Sequence, residues 1–245
     1  MPRFFVPSEN FSDNTVYIKG DDSYHIARAL RMAVGDSVTV CDMQGREHDC
    51  RLLKIRDEEC MLEILSSTEG KTEPPMQITL YMGYPKGDKL ETVIQKAVEL
   101  GASTIVPFES SRCIKRPKAD RAEKQLARLQ RIAEEAAKQC GRSKLPVVSE
   151  TLSYKEMLNR ASKDTLMLFC YEGDGAVSLK EALSSKNEPD SISVIVGSEG
   201  GFSLAEAEEA KEKGALICNL GPRILRCETA PLYALTAISY KFELN

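Results

Sequence analysis

The chain has only two histidines in 245 residues, and none of its eight cysteines stands in a C-x-x-C pair. Tetrahedral metal sites draw on those side chains at close spacing, so neither a metal nor a disulfide framework is expected. No apolar run approaches the roughly 18 residues of a membrane span, and the N-terminal M-P-R-F-F-V-P-S-E-N lacks the apolar core of a secretory signal. A cytoplasmic protein with reduced thiols and no membrane partner is the expectation. G-x-G-x-x-G and G-x-x-x-x-G-K-[ST] are also missing, which leaves dinucleotide and P-loop nucleotide sites without support. Nor is there an excess of positive charge. A formal net charge of −4 argues against coating a nucleic acid through bulk charge.

The charge is unevenly spread. Residues 1–72 hold 9 Lys and Arg against 13 Asp and Glu, whereas residues 112–144 hold 11 against 4, so a polyanion should land on the second segment. A helix expected over residues 121–140 buries Ala122, Leu126, Leu129, Ala133, Ala136 and Cys140 and sets Lys124, Arg128, Arg131 and Lys138 on another face. Arg112, Lys115, Arg116, Lys118, Arg142 and Lys144 flank it. Spacing leaves open a solvated helix face or a surface that tracks phosphates.

Residues 3–72 read mostly as short β-branched or alternating strands, with one helix over residues 22–32. A small β-barrel, closed to avoid exposed edges, is the expected product. Lys71-Thr72-Glu73-Pro74-Pro75 ends it, since two prolines after a charged turn stop a strand and resist helix. Residues 73–245 then alternate apolar strands with amphipathic helices, which means an α/β domain with a largely parallel sheet. The last helix, residues 232–242, is apolar nearly all round and should be buried in the domain or against another subunit.

Two loops concentrate polar chemistry. The first, V-G-S-E-G-G-F-S, carries Glu199 between a strand and a helix whose start is marked by Ser203 and Glu206 as a capping box. The second, L-G-P-R-I-L-R-C-E-T-A, carries Arg223, Arg226 and Glu228. Charged groups held between buried elements need partners. Spacing leaves an Arg–Glu structural network and a polar pocket for a charged ligand level.

These two loops, with R-F-F near the N-terminus, His25 through Leu30-Arg31 to Gly35-Asp36, K-A-V-E-L-G at residues 96–101 and E-A-A-K-Q-C-G-R at residues 135–142, resemble the RsmE-like family in order and over nearly the whole chain. That family comprises SPOUT-class methyltransferases of N3 of a uridine in 16S rRNA. The resemblance implies a PUA-like barrel over residues 1–72, a SPOUT domain over 73–245 with a deep trefoil knot at about 166–235, S-adenosylmethionine in the knot, and a homodimer acting on 16S rRNA or the small ribosomal subunit. Carried onto this chain, the donor site comprises Phe169, the loop of Gly197, Gly200 and Gly201, and Leu220, Gly221, Ile224, Leu225 and Ala230. Arg226 would stabilise charge on the uracil, with Glu199 and Glu228 orienting it or accepting a proton. Arg3, Arg28 and Arg31, and Arg112, Arg116, Arg131 and Arg142, would hold RNA. Three positions depart from the family's pattern: Ser198 for proline, Cys227 for threonine and Pro231 for a small residue. A SPOUT enzyme acting on a ribose 2′-hydroxyl and a non-enzymatic RNA-binding protein are the alternatives.

Overall fold

Alternation of apolar and polar residues becomes alternation of buried and less buried ones along Thr15–Lys19 and Arg46–Lys54 of the computed structural model, which describes residues 1–114 and 121–244. The chain divides into two compact units, Met1–Glu73 with Ala137–Leu145, and Pro74–Ala136 with Pro146–Asn245. In the first unit β1 (Arg3–Phe5), β2 (Phe11–Ser12), β3 (Thr15–Lys19), β4 (Ser37–Cys41), β5 (Arg46–Lys54) and β6 (Glu59–Glu69) form one sheet in the order β1-β4-β5-β6-β3-β2. Only β1 and β4 pair in parallel; the other ladders are antiparallel. Val16, Ile18, Val38, Val40, Cys50, Leu52, Cys60 and Leu62 fill its core with Phe4 and Ile26.

Two expectations change here. The sheet is an open half-barrel, because no ladder joins β1 to β2 among the described residues, and its edges are strands of three and two residues. Short edges limit pairing with other chains without closure. The helix expected over residues 22–32 is a single α-turn, α1 (Asp21–Tyr24), that widens into a π-turn over His25–Ala29, with Leu30 N–H donating to His25 O at 2.9 Å. Ile26 is fully buried on this turn, and Arg31 leaves it at φ +50°.

The second unit contains β7 (Gln77–Gly83), α2 (Lys89–Glu99), β8 (Thr104–Glu109), α3 (Ala122–Cys140), β9 (Val147–Val148), β10 (Leu152–Ser153), α4 (Tyr154–Ala161) and β11 (Leu166–Cys170). It continues through β12 (Val177–Ser178), α5 (Leu179–Ser184), β13 (Ser191–Val196), α6 (Leu204–Glu212), β14 (Leu216–Asn219) and α7 (Ala230–Phe242). The last turn of α3 belongs to the first unit. The strands lie in the order β10-β8-β7-β13-β11-β14-β12, with β9 beside β8, and every ladder is parallel. Parallel neighbours need crossover connections, and the helices supply them. Met157 and Leu158 of α4 and Ala207 and Ala210 of α6 pack on one face against Tyr81, Phe108, Phe169 and Ile195, while α7 packs on β13, α2 and α5.

Within the chain, helix α7 is buried along one side. Ala230, Ala234, Leu235 and Ile238 face inward, but Tyr233 is 46% and Tyr240 72% exposed. No described helix is long and apolar enough to cross a membrane.

Candidate active site

In a fully parallel sheet the strand ends align, so the loops after β7, β13, β11 and β14, four adjacent strands, leave from one edge. The last three of these loops, with Lys89 from the first, enclose a cavity of about 890 Å³, a volume suited to a small organic ligand. Two glycines make the crowding possible. A Cβ on Gly83 would lie 2.4 Å from Ser198 N, and one on Gly201, at φ +61°, would lie 2.9 Å from Glu172 Oε1. At Gly83 the neighbour is backbone, which cannot swing aside, and at Gly201 the positive φ is strained for any residue with a side chain.

The loop after β13 is anchored at both ends. Ser198 and Gly201 form an antiparallel bridge, with Gly201 N–H donating to Ser198 O at 2.9 Å. Phe202 then plugs the core, 4.2 Å from the Phe169 ring and stacked 6.1 Å from Phe108. Ser203 and Glu206 form the expected capping box, and Glu206 Oε1 also accepts the Ser111 N–H at 2.8 Å. Burial pushes the Glu206 carboxyl up, but the Ser111 and Ser203 hydrogen bonds outweigh it and hold it below the ordinary range.

At the cavity wall the acids pair with a lysine and not with the arginines of an Arg–Glu network. Lys89 Nζ lies 3.0 Å from Glu199 Oε1 and 3.3 Å from Glu228 Oε2. Arg223 and Arg226 line the cavity, exposed, with no ion pair among the described residues. The hydrogen bond to Glu199, joined by that to Glu228, holds the Lys89 ammonium above its ordinary pKa against desolvation. Burial pushes Glu199 up, yet its own backbone N–H, Lys89 and the Lys86 N–H together keep it below the usual carboxylate range. Glu228 is held low by its own backbone N–H, with Cys227 and Lys89 adding to it. Desolvation, then the bond to Glu228, pushes the Cys227 thiol up to about 12. Both acids are therefore ionised at neutral pH, and the thiol is not.

Of the residues singled out in the sequence, Gly197, Glu199, Gly201, Leu220, Gly221, Ile224, Leu225, Arg226 and Ala230 line the cavity. Glu228 joins them through Lys89. Phe169 instead lies in the core, fully buried, and Gly200 turns its carbonyl to Arg112 Nη1 at 3.2 Å. The cationic residues separate further. Arg28 is exposed beside Asp57 at 2.5 Å, Arg131 is exposed beside Glu135 at 3.1 Å, and Arg31 is exposed. Arg3 is drawn into the first unit by Glu47 at 2.9 Å. Arg142 does not present its charge to solvent: its side chain is 4% exposed and forks onto Glu73 at 2.6 Å. Lys138 leaves the exposed stripe for Asp22 at 2.9 Å. Arg116, with Lys115 and Lys118, lies outside the described residues. Among the described residues no group of three or more His, Cys, Asp or Glu is placed to hold a metal ion, and all eight cysteines are free.

The RNA methyltransferase domain family matches residues 72–239, and the RNA methyltransferase PUA domain family matches residues 18–65. The chain belongs to the RNA methyltransferase family. The ribosomal RNA small subunit methyltransferase E of Bacillus subtilis is 38% identical to it, over 94% of this chain and 91% of its own length. The protein of the same name from Synechocystis is 32% identical over 98% of this chain and 78% of its own. The solved ribosomal RNA small subunit methyltransferase E of Neisseria gonorrhoeae, bound to S-adenosyl methionine, superposes with a TM-score of 0.86 at 35% identity, covering 98% and 97% of the two chains. In this methyltransferase, sequence reasoning missed Lys89. It opens α2 after the G-Y-P-K-G-D turn, and the signal available was a lysine just past the end of a strand that neighbours β13.

Proposed function

We propose that the protein transfers a methyl group from S-adenosylmethionine, held in the cavity at the ends of β11, β13 and β14, to N3 of a uridine in the 16S RNA of the small ribosomal subunit. The observation that carries this reading is the meeting of three glycine-bearing loops over one cavity in a chain of this family. Backbone N–H and carbonyl groups at Gly197, Leu220, Gly221 and Leu225 suit a donor that combines a polar amino-acid end with a flat base. The resemblance to the family implies that residues 166–235 are threaded as a trefoil knot, and the loops after β11, β13 and β14, three neighbouring strands, are the ones that would then surround the donor.

Methyl transfer from a sulfonium is an in-line displacement, so donor and acceptor must be held in line while the weakly acidic uracil imide loses its proton. Arg226, exposed at the cavity wall, is placed to stabilise negative charge on a uracil oxygen. Glu199 and Glu228, both paired with Lys89, are weak bases at rest, and one of them takes the imide proton. The N3 edge is hidden in a duplex, so the base is unpaired or flipped out when it enters. Arg28, Arg31, Arg112 and Arg131 hold the surrounding RNA in this reading, whereas Arg3 and Arg142 serve the fold of the first unit. The exposed Tyr233 and Tyr240 on α7 support a homodimer, and the reaction belongs to the cytoplasm, where ribosomal RNA is.

Mass mapping of ribosomal RNA from a deletion strain, before and after adding the purified protein, tests the acceptor. The expected product is one N3-methyluridine; a methylated ribose would replace the acceptor. Calorimetry with S-adenosylmethionine tests the donor, and an absence of heat with both donor and demethylated product would remove the enzymatic reading. Arg28→Glu with Arg131→Glu should weaken RNA binding and flatten its salt dependence while donor affinity stays unchanged.

A further inference from the structure

Lys89 gathers side chains from separate parts of the second unit. It stands at the start of α2, Glu199 stands on the loop after β13, and Glu228 on the loop after β14, yet both carboxylates lie within 3.3 Å of its nitrogen. Each acid keeps a second contact that fixes its direction: Glu199 Oε1 accepts the Lys86 N–H at 3.1 Å, and Cys227 Sγ donates to Glu228 Oε2 at 3.2 Å. A lone pair of opposite charges at a surface would contribute little. Two like charges converging on one cation are different, because removing the cation leaves the acids to repel each other.

We propose that Lys89 is a positioning residue for methyl transfer, fastening Glu199 and Glu228 side by side at the wall of the cavity. The inference rests on the cavity being the methyl-donor site. Lys89 acts through the two carboxylates rather than on the reacting atoms. With Lys89 in place both acids stay ionised; without it, two carboxylates share one site and one of them binds a proton more readily. The other charged groups around the cavity are Glu172, Arg223 and Arg226, and the Cys227 thiol also faces the cluster at 3.7 Å from Lys89 Nζ.

The test uses the full chain with Lys89→Met and Lys89→Arg. Carbon-detected NMR titration of the glutamate carboxyls reads the cluster without activity: Lys89→Met should raise the titration of Glu199 or Glu228 relative to wild type, and Lys89→Arg should keep both low. Methyl incorporation into small-subunit RNA gives the second readout. Lys89→Met should lower kcat about tenfold to a hundredfold, as expected for losing a charged hydrogen bond, leave KM for the donor nearly unchanged, and move the acidic limb of the pH profile upward. Lys89→Arg should restore both rate and limb. An unshifted carboxyl titration in Lys89→Met, or a pH profile identical to wild type, overturns the proposal; so does equal loss in both variants with unchanged profiles, which would mark Lys89 as merely structural. A wild-type protein that neither binds donor nor methylates RNA would sink the functional reading and the catalytic part of this one, while the titrations still decide whether Lys89 holds the pair. Lys89→Gln repeats both readouts should the methionine variant not fold.

Discussion

Arg142→Met should unfold the first unit more easily and leave RNA affinity alone. The guanidinium is 4% exposed and its partner Glu73 14%, and Glu73 accepts from Arg142 Nη2 at 2.6 Å and Nε at 3.2 Å, and from the backbone N–H groups of Ser143 and Lys144 at 3.0 Å each. Removing one member of a buried pair typically costs about 3–5 kcal/mol, because the other charge is left without its partner. The two backbone donors remain to Glu73, so the lower end, about 3 kcal/mol, is expected. With a urea dependence of about 1–3 kcal/mol per molar, that loss moves the midpoint of the first unit by roughly 1–3 M, read by far-UV circular dichroism. Glu73→Leu with Arg142→Met should recover much of it, since an apolar pair replaces a buried ionic one at little cost. The pH dependence has a definite sign. Burial pushes Glu73 up, but Arg142 and the Lys144 and Ser143 N–H groups outweigh it and hold the carboxyl below its ordinary 4.5. Its contribution is therefore full above that value and is lost as pH falls through the lower folded value. The stability difference between wild type and Glu73→Gln should shrink in the same window. An unchanged urea midpoint in Arg142→Met, or weaker RNA binding with stability intact, would refute this account and return Arg142 to the surface.

Phe202→Ala removes a ring packed between Phe169 and Phe108; it should cost about 3–5 kcal/mol in thermal or chemical unfolding, and a loss under 1 kcal/mol would show that the loop after β13 does not depend on it. Gly83→Ala would press a methyl group to 2.4 Å from Ser198 N, so donor affinity measured by calorimetry should fall at least about tenfold as the loop moves away; unchanged affinity contradicts the crowding. Cys227, with its thiol pushed up to about 12, should resist iodoacetamide in the native protein at neutral pH, because the thiolate is the reactive form. Rapid alkylation at that residue, followed by mass spectrometry, would refute the environment assigned to it.

Much of the local structure was legible in the residues themselves. Thr15–Lys19 and Ser37–Cys41 are strands because β-branched residues alternate or run together between turn residues, and α6 begins where Ser203 and Glu206 satisfy each other's end of the chain. These are interactions among residues a few positions apart, and so is the glycine content of the loop after β13. The alternation of strand and helix after residue 77 also dictated a parallel sheet, since each crossover returns the chain to the same edge. The tertiary structure decided what depends on distant residues. The turn at His25–Ala29 widened from α to π with Ile26 buried beneath it, and Arg142 became an interior ion pair because Glu73, 69 residues earlier, lies beside it. Glu199 and Glu228 found Lys89 instead of either arginine, across 110 residues in the first case. Helix propensity, strand alternation and turn chemistry act over a few residues and can be read from them; which charge faces which is set by where the strands order themselves in the sheet, and only the folded chain fixes that.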